Sequence, residues 1–198
     1  MSFLQGGFNL CNKTALPPGV TKSAAIAALQ DHDKFLHADP HLTTYKRLDV
    51  EDPNNPAVLA DYDAYKVPKA IATAGAKREV KVYEVHDHVP NPVWSSDVTS
   101  VEEFVDCAEG VWVRVRSPLG VVLETTWFIC EKKDGNNRGT LELVQTLVCT
   151  CNRLLAALCK SQVDKGWHAV HDKLIQGMVE DRTAVAQQAA EATLTAKV

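Results

Sequence analysis

The stretch "TLVCTCNRLLAALCK" (residues 146–160) decides the fold, because two incompatible readings compete over it. It holds three of the chain's six cysteines, which would suit a metal or redox site. The alternative is a strand that turns directly into a helix. Cys149 and Cys151 are two apart and so share one face of a strand. Cys159 falls two turns into the following helix, beside Leu155 and Leu158. A structural zinc site needs four ligands, commonly in paired clusters. This C-x-C has no second pair nearby, and no C-x-x-C occurs in the chain. Free cysteine packs as a small hydrophobe when buried. The stretch therefore reads as a strand-to-helix corner, with Asn152 as N-cap.

Upstream of the corner the pattern is that of successive strands. "REVKVYEVHDHV", "VWSSDVTSVEEFVD", "VWVRVRS", "VVLETTWFICEK" and "TLELVQTLVCTC" follow one another from about residue 78. The separators "PNP", "CAEG", "SPLG" and "KKDGNNRG" are turn signals, and spacing this short favours antiparallel neighbours. Further back, "FNLCNKTALP" (8–17) is an apolar first strand and "PPGV" a turn. Thr21 or Ser23 then caps a short helix that carries Ile26 and Leu29 on one face. A second short helix, Asp31 to His37, stops before Pro40. "LTTYKRLDV" (42–50) reads as a strand and "EDPNNPAVLADYDAY" (51–65) as a loop.

Downstream, "RLLAALCKSQVDKGWHAVHDKLIQGMVED" keeps helical spacing to about residue 179, roughly 40 Å of helix. The reading is thus α+β: about seven strands in a curved antiparallel sheet, two short helices after the first strand, and one long C-terminal helix. Residues 1–180 form a single domain, and 181–198 an Ala-rich tail that either extends the helix or is disordered.

Composition narrows the function. The 198 residues are 45% hydrophobic and 23% charged with net charge -4, which gives no footprint for nucleic acid. No apolar run is long enough to span a bilayer, and the N-terminus does not read as a signal peptide, so a cytoplasmic protein with reduced thiols is expected. G-x-S-x-G, a phosphate-cradling glycine loop and a dinucleotide fingerprint are all missing. His86 and His88 share a strand face, but no third ligand stands at a defined spacing, so neither metal nor cofactor is expected.

A single helix laid across a twisted sheet covers it incompletely, and the gap becomes a pocket. Leu154, Leu155, Leu158 and Cys159 lie on one arc of the helix; Trp167, Val170, Leu174 and Met178 lie on another, rotated from the first. Gly166 stands between them, where a kink is cheap. Pocket walls are therefore expected from Trp167 to Met178. His171 sits on the second arc, either as a core histidine hydrogen-bonded to a carbonyl or as a proton donor or acceptor facing a ligand. His168 falls toward the solvated edge. In the hairpin around "SPLG", alternation groups Val111, Val113, Val115, Val122, Phe128 and Cys130 as the core face, with Glu124 and Thr126 among them. A carboxylate there must find a partner such as a buried arginine, reach water, or stay protonated. Glu124 and His171 are thus the catalytic candidates; Trp167, Val170, Leu174, Met178, Val113, Thr126 and Phe128 are the ligand-binding candidates.

The segments "LPPGVTKSAAIAALQDHDKFLHADP" (16–40), "VRVRSPLGVVLETTWFI" (113–129) and "LELVQTLVCTCNRLLAALCK" (141–160) together resemble the START-like, helix-grip (SRPBCC) superfamily of polyketide cyclases and birch-pollen-type allergens. Within it the chain is most similar to an uncharacterised family found largely in fungi. The resemblance runs over about residues 8–178. It implies an apolar cavity between sheet and C-terminal helix, and a hydrophobic ligand that is polyketide-, terpenoid- or lipid-like, in specialised metabolism. The same cavity serves cofactor-independent cyclases or isomerases in the superfamily, and other members are protein-interaction domains.

Overall fold

The computed structural model describes residues 5–49, 80–89, 96–133 and 139–195. The elements are β1 (Gln5–Ala15), α1 (Lys22–Gln30), α2 (His32–His37), β2 (Leu42–Leu48), β3 (Val80–Val89), β4 (Ser96–Cys107), β5 (Gly110–Ser117), β6 (Val121–Lys133), β7 (Gly139–Asn152) and α3 (Arg153–Thr195). The loop expected over residues 51–65 lies outside the described residues.

One seven-stranded sheet runs β1-β7-β6-β5-β4-β3-β2, and every neighbouring pair is antiparallel. The strands from β3 to β7 form a meander, as short separators require, and β2 pairs beside β3 after a longer connection. β1 then closes the order beside β7, with Phe8 opposite Cys149 and Thr14 opposite Leu143. This is an α+β, helix-grip arrangement, with two short helices after the first strand and the long helix last.

Local chemistry sets the element ends. Thr21 caps α1 by accepting from the Ala24 N–H at 3.2 Å, and Asp31 caps α2 by accepting from Lys34 N–H at 3.3 Å. At the strand-to-helix corner the Asn152 side chain accepts from the Leu154 N–H at 3.0 Å. The helix it starts is 43 residues long, about 65 Å, and runs past the expected end near residue 179.

The helices pack on one face of the sheet, the inner face. Register defines it: Tyr83, Glu102, Val115, Leu123 and Cys149 form one cross-strand row, and Phe104, Val113, Thr125 and Leu147 the next. Ala25, Ala28 and Leu29 of α1, Phe35 and Leu36 of α2, and Leu174 and Met178 of α3 bury themselves against Val111, Val113, Trp127 and Ile129. The alanines let α1 approach the sheet closely. Val113, Leu174 and Met178, expected as pocket walls, are core residues.

Candidate functional site

The sequence-expected site residues divide between the two faces of the sheet. Val113 is opposite Thr125, and Arg114 is opposite Glu124. The inner set on β6 is Leu123, Thr125, Trp127 and Ile129, so Val122, Glu124, Thr126, Phe128 and Cys130 point outward. This corrects the expected face of β6. Both alternations of that strand are rich in apolar residues, and a one-residue shift of parity exchanges the faces.

On the outer face Glu124 meets a buried arginine. Arg114 donates to it from Nε at 3.0 Å and lies 2.9 Å from it through Nη2. The same guanidinium reaches Glu103 at 3.2 Å, and Arg116 Nε reaches Glu103 at 2.6 Å. Glu103 is only 1% exposed; burial pushes its carboxyl up and the two arginines push it back. Arg114 also lies over the Trp112 ring. Thr126 hydrogen-bonds Thr146 across the strands. Glu124, Thr126 and Phe128 thus stand apart from the helix side of the sheet.

His171 is on the helix side and fully buried. Its Nδ1 is hydrogen-bonded to Thr14 Oγ1 at 2.9 Å, while Nε2 is buried with no partner. Burial first, and His168 second, lower its pKa to about 4, so it is neutral at physiological pH. Trp127 and Trp167 lie against it at 5.4 and 5.1 Å between ring centroids. Trp167 stacks on the exposed His168, and Val170 packs at the margin of the core.

A second group of polar side chains lies on the inner face of β3 and β4. Glu102 stands between Tyr83 and Val115, Ser100 opposite Val85, and Asp87 opposite Val98. Ser100 is 2% exposed, and its Oγ, like Asp87 Oδ1, is buried without a partner. Burial, then the charges of Asp87 and Asp39, push the Glu102 carboxyl up to about 8. Asp87 rises to about 6, again through burial first. Glu102 itself is half-buried. At neutral pH it is a neutral acid able to donate a proton or a hydrogen bond.

Beside this group, His32 is held on both nitrogens, by Tyr83 Oη at 3.0 Å and by Asp106 Oδ1 at 2.8 Å. Burial would raise the Asp106 carboxyl, but His32 and Lys81 hold it below the usual range. Tyr83 is thereby fixed next to Glu102.

The family model "Domain of unknown function (DUF7053)" matches residues 7–180. The chain belongs to the DUF7053 family. The crystal structure of TTHA0849 from Thermus thermophilus is similar over 89% of this chain and 99% of that one, with a TM-score of 0.50 and 13% identity. At that identity the likeness concerns the fold alone. No curated protein matches the chain.

In this DUF7053 chain the three cysteines of the corner meet in an apolar cluster with Leu147, Leu123, Leu155 and Val163. Burial, reinforced by Cys151 and Cys159, pushes the Cys149 thiol up to about 12, so it is a poor nucleophile at neutral pH. Among the described residues no group of three His, Cys, Asp or Glu side chains is placed to hold a metal ion. No described helix is long and apolar enough to cross a membrane.

Sequence reasoning missed Glu102, Ser100 and Asp87. The signal was present in "VTSVEEFVD" (98–106): alternation puts Val98, Ser100, Glu102 and Phe104 on one face and Val101, Glu103 and Val105 on the other. Each face carries one glutamate, and nothing local says which face the helices cover.

Proposed function

We propose that this protein is a START-like (SRPBCC) domain of the cytosol that encloses a small molecule with an apolar body, polyketide-, terpenoid- or lipid-like, against the inner face of β3–β5. The observation that carries the reading is the orphaned polar set on that face, Asp87 Oδ1 and Ser100 Oγ, beside the half-buried Glu102. A buried group without a hydrogen bond costs about 1–3 kcal/mol, a cost that a ligand's polar end offsets. Val98, Val115 and Leu123, half-buried on that face, supply apolar surface around the set, worth about 25 cal/mol per Å² buried.

The test is titration with farnesol, hexadecanol and naringenin, read by the fluorescence of Trp127 and Trp167 and by calorimetry. Saturable binding that disappears in Val115→Trp, whose ring fills the recess, is the expected result. Failure of all three to bind the folded protein removes the proposal and leaves the protein-interaction reading.

A second reading is a cofactor-independent cyclase or isomerase. It is favoured by Glu102, half-buried on the same face beside Tyr83 and held protonated at neutral pH by burial. Turnover of a bound compound that is lost in Glu102→Gln while binding persists separates the enzyme from the carrier.

A further inference from the structure

We propose that Asp87, Ser100 and Glu102 form an acidic floor that selects a ligand with a primary amine on its apolar body. This names the polar end that the reading above leaves open, and it rests on that reading. Ser100 and Glu102 are alternate residues of β4, about 7 Å apart along the strand and on the same face. Asp87 lies on β3 on the same side of the sheet, opposite Val98, so that Ser100 stands between its level and that of Glu102.

The charges around the floor are one-signed. Among the described residues, those acting on Glu102 are Asp87 and Asp39, and Asp87 is offset only by His41 and His86. The nearby basic groups are engaged: Lys81 pairs with Asp106 at 3.2 Å, and Arg47 on β2 is exposed with interactions of its own. Among the described residues, no lysine or arginine acts on either carboxyl.

The donor count points the same way. An ammonium carries three N–H donors and no acceptor. Asp87 Oδ1, Ser100 Oγ and the Glu102 carboxylate are three acceptors, the first two without partners. A neutral carbonyl takes one hydrogen bond from protonated Glu102 and leaves Asp87 Oδ1 orphaned. A carboxylate ligand would be repelled outright. When the ammonium docks, Glu102 ionises and its proton leaves to solvent, so binding and proton release are linked.

The experiment compares three probes that share one apolar body: 1-naphthylmethylamine, 1-naphthalenemethanol and 1-naphthoate. Calorimetry at pH 7 in phosphate and in Tris, whose ionisation enthalpies differ, reads affinity and proton release together. The amine is expected to bind about tenfold or more tighter than the alcohol, with naphthoate weakest and a proton released on amine binding only. Glu102→Gln and Asp87→Asn, checked for folding by near-UV circular dichroism, are expected to bring the amine down to the alcohol's affinity while alcohol binding persists. Equal affinity for amine and alcohol in the parent protein overturns the charge selectivity and leaves the apolar recess standing. No binding by any of the three overturns both.

Discussion

Glu102 and Glu103 are neighbours in sequence and opposites in role. Glu103 turns outward into a buried ion cluster with Arg114 and Arg116, whereas Glu102 turns inward, and among the described residues no basic group acts on it. Removing one member of a buried pair leaves the others uncompensated, so Glu103→Ala is expected to cost about 3–5 kcal/mol in urea denaturation. Glu124, 37% exposed, shares Arg114 with Glu103; Glu124→Gln should cost under about 1 kcal/mol and leave ligand affinity unchanged. A large loss of affinity in Glu124→Gln would contradict the outward placement of the residue. His171 makes a separate prediction. Its folded value, about 4, lies below the usual 6.5, so the unfolded chain takes up the proton first as pH falls. Stability is present above pH 6.5 and is lost between 6.5 and 4. By pH 5 the loss is about 2 kcal/mol, at about 1.4 kcal/mol per unit. A His171→Asn variant should lack that slope; an unchanged slope would mean that the imidazole already titrates in the folded state.

Elements differed in how legible they were, for physical reasons. The corner at Asn152 was readable because the hydrophobic period switches from two to 3.6 within a few residues and a capping side chain stands at the switch. The inward face of β6 was not, because Leu123, Trp127 and Ile129 alternate with the equally apolar Val122, Phe128 and Cys130. The first arc of α3 came out one position displaced: Leu155, Cys159 and Val163 pack against β7, whereas Leu154 and Leu158 are 82% and 41% exposed. Gly166, expected as a kink, lies within one continuous helix, and a methyl group there meets nothing within 4 Å. Gly166→Ala should therefore stabilise the protein by about 0.5–1 kcal/mol, seen as a raised Tm. Gly110, in the β4–β5 turn, is the opposite case. It adopts φ 151°, and a Cβ there would collide with the Trp127 carbonyl oxygen, so Gly110→Ala should destabilise by more than Gly166→Ala stabilises.

For the whole molecule, seven strands and three helices in order were legible, while the polar set on β3 and β4 was not, because its face depends on which side of the sheet the helices cover. α1 and α2 cover part of that side with Leu29, Phe35 and Leu36, and Asp87, Ser100 and Glu102 lie on the same side. The molecule's pH profile reports this division. Glu102 and Asp87 have folded values above their usual ones, so their contributions are complete at low pH and are lost as pH rises through about 6 for Asp87 and about 8 for Glu102. His171 acts in the reverse sense below 6.5. Between pH 4.5 and 6 the two carboxyls together lose more than His171 gains, so these three groups sum to a decline that continues to about pH 8. Glu102→Gln should abolish much of the decline; a parent protein equally stable at pH 6 and pH 8.5 would contradict it.

The place of β1 has a consequence for synthesis on the ribosome. Its partner is β7, so β1 must wait, unzipped, until every strand between them has been translated. Pairing across such a separation is slow. Between the emergence of β1 and that of β7 the nascent chain therefore carries an open ribbon edge, the kind of surface that chaperones shield.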